Sequence, residues 1–501
     1  MAAVHPTVPA PRSAPQWRDL REWLQLVEAL GELRHVEGAS WEEDIGAVTE
    51  LLDHTPGSPA VLFDAIPGYP RGYRVLVNAN GTRARQAITL GLDPAQATHE
   101  TLLAWWRHTL RHLQPLPPVE VADGPVFEVV QRGDAVDLYQ FPAPIWHPGD
   151  GGRFLGTASL NILRDPDSDW VNVGTYRNMI QDRNHLGVWI SPGKHGRWIR
   201  DRWQARGERA PICVSVGHDP LLFMAACLEG LPPGLSEYAW AGGAVGRPVE
   251  VVRAPLTGLP IPAHAEIVLE GYIDFADLRV EGPYGEFTGY YASGAPTLPT
   301  IEVQAVYHRR DPIILGCPQG KPPHEDNQFL AYLRSALIWE QLERAGVPDV
   351  VGVWSPPLAA NRFCTIVAIR QRYPGHARQA GVLAANVGAT AYMSRYIIVV
   401  DDDIDVTNLD DVLFAVFTRS DPERSIELVR RCWSGPLDPA IPPERHGFNS
   451  RVIIDATRPY EWRDRFPPAI VTPERRAAIR RRWGHLLAAR PADGPVRPAD
   501  A

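Results

Sequence analysis

Between about residues 119 and 320 the chain reads as a succession of short β-rich runs: LGTASLNILRD, DWVNVGTYRNMI, LGVWIS, ICVSVG, VEVVRA, AEIVLEGYI and TIEVQAVYHR. Glycine, proline or aspartate sets each run off from the next, and strands spaced this closely with turns between them argue for a barrel or a curled sheet. One extended helix, LLFMAACLEG, interrupts the series. The chain on either side of this block follows a different period.

Residues 1–15 are rich in proline and alanine and are expected to be disordered. Leu20, Trp23, Leu24, Val27 and Leu30 then recur at helical spacing. Ser40 with Glu43 reads as a capping box that opens a second amphipathic helix, Glu43 to Leu52. A strand, PAVLFDAI, and a third helix, Thr98 to Leu113, complete an N-terminal α/β domain over residues 16–118. The linker QPLPPVEVADGP closes it. After the β-rich domain, 119–320, a long helix from Asn327 to Ala345 reads as a connector over 321–346. Strands DVVGVWS, FCTIVAIR and RYIIVVDDDID then alternate with helices HARQAGVLAANVG, LDDVLFAVFTR and ERSIELVRRCW, the pattern of an α/β layer with some parallel pairing, over 347–470. Residues 471–501 hold a basic helix, ERRAAIRRRW, and a Pro/Ala/Asp-rich tail.

A chain of 501 residues is too long for one core, and the net charge of −9 gives no general footing on nucleic acid or an anionic membrane. The basic groups that matter are therefore few and placed. Five scattered cysteines without a CxxC read as reduced thiols, and no signal peptide or membrane span is found, so the expected location is the cytoplasm.

Two clusters in the β-rich block carry chemistry. The first is NVGTYRNMIQDRNHLGVWISPGKH, residues 172–195, which sets Asn172, Arg177, Lys194 and His195 among runs that otherwise read as core strand. One amide oxygen, one imidazole and one carboxylate, with phosphate oxygens completing the shell, suit Mn²⁺ or Mg²⁺. Asn172, His195 and Glu237 of GLSEYAWAGG supply that set, read as standing at strand ends; the plainer alternative is a structural Asn and His and a turn-capping Glu. The second cluster is Glu281-Gly-Pro-Tyr-Gly-Glu286, where Gly282, Pro283 and Gly285 break the strand into a turn that can bring the two carboxylates together. Paired carboxylates split their pKa values, leaving one as a general acid, and Arg177 is the natural counter-charge. An exposed acidic turn with a surface ion pair is the bland alternative. GDGGRF at 149–154 lacks the strand–helix context of a phosphate loop.

NVGTYR, SPGKHGR, GLSEY, EGPYGEFTGYY and RYIIVVDDDID, in this order and spacing, resemble the UbiD-like decarboxylases, which use prenylated FMN and include the ferulic and cinnamic acid decarboxylases. The likeness runs from about residue 17 to 465. It implies a central split-barrel flavin-binding domain, flanking α/β domains and a homodimer or larger assembly built through the C-terminal domain. It implies that Asn172, His195 and Glu237 hold Mn²⁺ or Mg²⁺ against the cofactor phosphate, with a potassium ion nearby. Val173, Gly174, Thr175, Tyr176, Arg177 and Lys194 would line the cofactor, and Arg395, where cinnamate-type members have lysine, would meet its phosphate. Arg177, Glu281 and Glu286 would be catalytic: Arg177, steadied by Glu281, holds the substrate carboxylate, and Glu286 protonates the carbon that loses CO₂. A flavin prenyltransferase would supply the cofactor.

The resemblance implies a reversible decarboxylase of an aromatic, heteroaromatic or α,β-unsaturated acid, whose direction no residue decides. The pocket beyond the carboxylate clamp is expected to be mostly apolar, lined by residues after Tyr290 and by GCPQGKPPHED, residues 316–326. Two rivals stand beside it. One is a non-catalytic flavin-binding subunit. The other is a metal-dependent hydrolase built on Asn172, His195, Glu237 and the DDDID run at 401–405, although that run also reads as the opening of a helix capped by Thr407 or Asn408.

Overall fold

The computed structural model describes residues 15–487 apart from 446, 466, 468 and 470; the disordered N-terminus expected over 1–15 and the tail beyond 487 fall almost wholly outside the described residues. Helix α1 (Leu20–Ala29) buries Leu20, Trp23, Leu24 and Val27, the stripe read from the sequence. Helix α2 (Asp44–Asp53) starts one residue later than expected, and its cap differs. Glu43 makes no capping bond; the Ser40 N–H donates to Asp44 Oδ2 at 2.8 Å, because Asp44 stands where its carboxylate reaches back to the turn. Helices α3 (Arg83–Thr89) and α4 (His99–His112) follow, with the Thr98 hydroxyl capping α4.

The N-terminal sheet has four strands in the order 33–37, 60–64, 74–77 and 313–316. Its last strand, Ile313–Gly316, lies parallel to Arg74–Val77, although it comes from the end of the β-rich block. A short apolar run such as IILG carries no mark of the sheet that will take it.

The central sheet has nine strands, all antiparallel, and forms a half-barrel. Its longest pair, Ile267–Val280 and Thr297–His308, changes register between Glu270 and Gly271 and again between Asp274 and Leu278, and such bulges bend a sheet. A side chain at Gly271 would place its Cβ 1.9 Å from the Glu302 carbonyl oxygen, so the first bulge demands glycine. Three helices lie against the sheet: α5 (His195–Ala205), α6 (Pro220–Ala226) and α7 (Glu237–Val245). The first and last correct the sequence reading, since His195 and Glu237 open helices and do not end strands. Gly193 and Gly234, both at positive φ, break the chain just before each. The helix expected over LLFMAACLEG stops at Ala226, and Glu229 is released into a loop.

Helix α8 (Glu325–Arg344) leads into a five-stranded sheet in the order 350–354, 364–369, 396–401, 448–456 and 426–433, whose middle three strands are mutually parallel. Helices α9 (His376–Ala384) and α10 (Leu409–Arg419) form as read. The helix expected over ERSIELVRRCW does not: only α11 (Pro422–Ser425) is helical, and Ile426–Trp433 is an edge strand against Phe448–Ala456. Backbone pairing to a neighbour outweighs local helical propensity there. The basic helix is α12 (Pro473–Trp483). Among the described residues no helix is long and apolar enough to cross a membrane.

Close backbone contact docks the N-terminal helices on the segment that enters the central sheet. A Cβ on Gly46 of α2 would lie 2.2 Å from the Trp146 carbonyl oxygen, and nothing on either side can yield. Gly46→Val is expected to cost about 1–3 kcal/mol through overpacking, read as a lower denaturation midpoint; an unchanged midpoint would mean that this contact does not hold the two layers together.

Candidate active site

The central sheet delivers two loops to one place. Arg177 lies between strands Val171–Gly174 and Asn178–Ile180, and the turn Glu281–Glu286 follows strand Ile267–Val280. Arg177 Nε donates to Glu281 Oε1 at 2.9 Å and its Nη2 to Glu281 Oε2 at 2.7 Å, a bidentate pair. Nη1 donates to Glu286 Oε1, and Nη2 also reaches the Ser293 hydroxyl at 3.3 Å. Trp189 and Tyr284 stand with their rings 5.2 and 5.1 Å from the guanidinium carbon. All three charged side chains are buried, Glu281 completely.

One guanidinium therefore serves two carboxylates. Burial works against the Arg177 charge, but its bonds to Glu281 and the charge of Glu286 outweigh this and hold it protonated. Burial is also the largest influence on Glu286 and pushes its carboxyl above the ordinary range, with Arg177 and Ser293 opposing. The bland reading of EGPYGE as an exposed acidic turn is thus excluded. Glu286 is a buried carboxyl whose ionisation burial disfavours, and Glu281 takes two nitrogens of the arginine.

The glycine-rich run 149–154 is the cradle of this turn. Asp150 Oδ1 accepts from the Gly285 N–H at 3.0 Å, and the Gly151 N–H donates to the Pro283 carbonyl at 2.8 Å. A Cβ on Gly151 would fall 1.9 Å from the Gly282 carbonyl oxygen. The sequence reading found no role for this run, nor for Ser293, because both act on the turn only through the fold.

Asn172 and Glu237 also meet. Glu237 Oε1 accepts from Asn172 Nδ2 at 2.8 Å and Oε2 from the Val173 N–H at 2.7 Å. The Tyr176 hydroxyl donates to Asn172 Oδ1 at 3.3 Å and accepts from the Gly196 N–H at 3.2 Å, linking this pair to the start of α5. Gly174 and Gly196 leave the room that the Tyr176 ring fills, and the Thr175 N–H donates to the Ala226 carbonyl at 3.4 Å. His195 lies between the rings of Trp170 and Trp198, with centroids 5.0 and 5.1 Å away, next to this cluster. Burial pushes the Glu237 carboxyl up to about 7, since its partners are an amide and an N–H and neither is a cation. Burial and then Lys194 push His195 down, toward neutral imidazole. Among the described residues no group of three or more His, Cys, Asp or Glu side chains suits a metal; this set would join only two such residues to an amide. A buried carboxylate with no cationic partner, an amide oxygen, and a neutral imidazole on the residue before Gly196 are nevertheless donor types that fit a divalent ion.

A third cluster was not anticipated. Glu229 accepts from Arg334 Nη1 at 2.5 Å and from Arg362, and Lys194 Nζ lies 3.6 Å away. Burial opposes ionisation of Glu229, but Arg362, Arg334 and Lys194 together hold its carboxyl well below the usual range. Three cations face one carboxylate, an excess of positive charge that suits a phosphate. Arg362 also stands 5.5 Å from the ring of Phe287, next to Glu286. Arg395, expected at the phosphate, is paired with the buried Asp438 and lies over Phe363. The DDDID run is engaged elsewhere, Asp401 and Asp403 both accepting from Arg419, and Asn408 caps α10 as read.

The segment 316–326, expected among the pocket lining, makes polar contacts of its own and meets the clamp through Tyr284. The Gln319 N–H donates to the Tyr284 hydroxyl at 3.2 Å, Gln319 Nε2 lies 3.5 Å from Asp326, and His324 Nδ1 lies 2.5 Å from Asp326.

The chain matches three families described as the N-terminal, Rift-related and C-terminal domains of 3-octaprenyl-4-hydroxybenzoate carboxy-lyase, over residues 24–105, 118–322 and 327–456. It is 34% identical over 461 residues to the pyrrole-2-carboxylic acid decarboxylase of Pseudomonas aeruginosa, a match spanning 89% of this chain and 92% of that enzyme. Among solved structures, the UbiD-class enzyme HmfF of Pelotomaculum thermopropionicum in complex with FMN superposes with a TM-score of 0.81 at 27% identity, covering 91% of this chain and 97% of that one. The closed form of Sedimentibacter hydroxybenzoicus vanillic acid decarboxylase gives 0.80 at 29% identity, covering 94% and 98%.

Removing one member of the buried Arg177 pair leaves charge without its partner. Glu281→Gln is expected to lower stability by about 3–5 kcal/mol, measured by chemical denaturation; a change within error would mean that water reaches the pair.

Proposed function

The chain belongs to the UbiD family of carboxy-lyases, and on that footing we propose that it is a decarboxylase of an aromatic, heteroaromatic or α,β-unsaturated carboxylic acid that works with prenylated FMN. The observation that carries this reading is the Arg177 guanidinium shared between the buried Glu281 and Glu286. Relatives named for pyrrole-2-carboxylic, vanillic and 3,4-dihydroxybenzoic acid favour a ring that carries hydrogen-bonding groups.

Glu281 holds the rigid guanidinium through Nε and Nη2, so the Glu286 side chain swings away from Nη1 and the substrate carboxylate takes its place there. Exchange of one carboxylate for another keeps the arginine paired throughout. Glu286, released from Arg177 and still buried, then favours its protonated form more strongly. It delivers that proton to the carbon that loses CO₂ and is recharged from solvent, so each turnover consumes one proton. Prenylated FMN, when bound, supplies the electron sink for the pair left behind, which no side chain here can provide.

The same proposal places a divalent ion, Mn²⁺ or Mg²⁺, on Asn172, Glu237 and His195, supported by the lone charge of Glu237. A potassium ion nearby belongs to it, as does lining of the cofactor by the 173–177 backbone and side chains. Lys194, Arg334 and Arg362 are the cations best placed for the phosphate, in place of Arg395. The half-barrel would be the split-barrel flavin domain over 119–320, between an N-terminal domain over 16–118 and a C-terminal domain over 347–470; the central family match, 118–322, lies close to the first of these spans, whereas the C-terminal match starts at 327 and takes in the connecting helix. A homodimer through the C-terminal domain is supported by exposed Leu413, Phe414 and Phe417 on α10 and by Ile426, Leu428 and Trp433 on the edge strand. Five free thiols suit the cytoplasm, where a flavin prenyltransferase would supply the cofactor.

Co-production with such a prenyltransferase should yield a protein whose flavin absorption survives desalting and which releases CO₂ from some member of a panel of pyrrole, hydroxybenzoic and cinnamic acids. A loaded protein inert toward the whole panel, with no deuterium exchange into products, would leave a non-catalytic subunit as the better reading. Glu286→Gln should bind flavin normally yet lose about 10²–10⁴ in turnover; full turnover in that variant would remove Glu286 as the acid.

A further inference from the structure

An acid that gives up one proton per turnover has to be reloaded, and the surroundings of Glu286 limit how. Glu286 is only 3% exposed, so the returning proton has to pass through a neighbouring group. The side chains bonded to its carboxyl are Arg177 and Ser293.

Arg177 cannot serve. Its guanidinium is held protonated by the two acids, and a group that never gives up its hydrogen relays none. A hydroxyl both donates and accepts, so it passes one hydrogen on while taking another. The Tyr284 hydroxyl is no substitute, because it accepts from the Gln319 N–H at 3.2 Å and belongs to a side chain that is itself buried.

Ser293 has the placement that such a role requires. Its Oγ accepts from Arg177 Nη2 at 3.3 Å, which leaves its own hydrogen for the Glu286 carboxyl. Unlike the acid, it is only partly buried. The loop that carries it is the open side of the site, with Tyr290 62% and Tyr291 42% exposed and Gly294 and Ala295 exposed beside it. The same loop is pinned to the acid turn. The Glu286 N–H donates to the Tyr290 carbonyl at 3.1 Å and the Glu281 N–H to the Pro296 carbonyl at 2.9 Å. A Cβ on Gly282 would lie 2.8 Å from the Gly294 carbonyl oxygen, so the backbone next to Ser293 rests directly on the turn.

We propose that the Ser293 hydroxyl is the relay through which Glu286 recovers its proton between turnovers. This rests on the decarboxylase reading above, and Ser293 acts through Glu286, not on the substrate. Once Glu286 has protonated the carbon and returned to Arg177, the Ser293 O–H bond breaks as its hydrogen passes to the carboxylate. The serine oxygen takes a hydrogen from water at the mouth of the site, and that water is reloaded by solvent acid. The balance is one proton moved from solvent to Glu286, with the serine unchanged.

Steady-state decarboxylation by the flavin-loaded, full-length protein in H₂O and D₂O tests the relay. Ser293→Ala should lower kcat by about tenfold or more and leave KM for the acid within about twofold, with a larger solvent isotope effect because proton return then limits turnover. Should that variant fail to fold, Ser293→Val carries the same expectation, and Ser293→Thr, which has the shape of valine but keeps the hydroxyl, should recover most of the rate. A serine that merely steadied Arg177 would instead put the loss on KM and leave the isotope effect as in the wild type. That pattern, wild-type kcat in the alanine or valine variant, or a threonine variant as slow as the valine one would overturn the relay and leave the decarboxylase reading intact. A wild-type protein inert toward every acid would overturn that reading and the relay with it.

Discussion

The sharing of Arg177 between Glu281 and Glu286 is the interaction on which the rest of the site depends. Two carboxylates and one guanidinium buried together are tolerable only if most donors are used, and the structure arranges this by drawing loops from three places in the chain. Arg177 comes from a tight connection between short strands, the carboxylates from the turn after the longest strand, and Asp150 and Gly151 close over that turn from a third loop. Closeness of backbone to backbone explains the glycines at 151 and 282 better than any ligand-binding motif does.

Charge is partitioned around this centre into three unequal holdings. The Arg177 group carries one more carboxylate than cation, Glu237 stands among neutral donors, and Glu229 is outnumbered by cations. Each imbalance suits a different complement: a proton on Glu286 for the first, a divalent ion for the second, and a phosphate for the third. The three lie along the path from strand Val171–Gly174 through Tyr176 to α5, so one short stretch of chain connects chemistry that otherwise depends on residues from all parts of the molecule.

Much of the fold is legible from periodicity, because a buried stripe or an alternating strand writes its environment into local sequence. The helices α1, α4, α8, α9 and α10 and most strands of the central sheet are of this kind. Where partners lie far away the reading fails. Ile426–Trp433 has the composition of a helix but pairs with Phe448–Ala456, and Ile313–Gly316 joins a sheet begun near residue 33. His195 and Glu237 were readable as polar groups of the right type, but the helices they open depend on glycine breaks whose conformation only the folded backbone displays.

By itself the sequence determined the kinds of chemistry available: an arginine with paired acids on a broken strand, an Asn–His–Glu set of hard donors, and motifs in the order of a carboxy-lyase family. Those depend on residue identity and short spacing, which the chain carries locally. Only the tertiary structure decided that one arginine serves both acids, and that Arg334 and Arg362 gather on Glu229 while Arg395 turns to Asp438. The physical reason is that charge pairing and burial are set by distances across the fold, between residues that in these pairs stand tens to hundreds of positions apart. In Asn172–His195 and the EGPYGE turn, the sequence supplies the groups and the half-barrel brings them into contact.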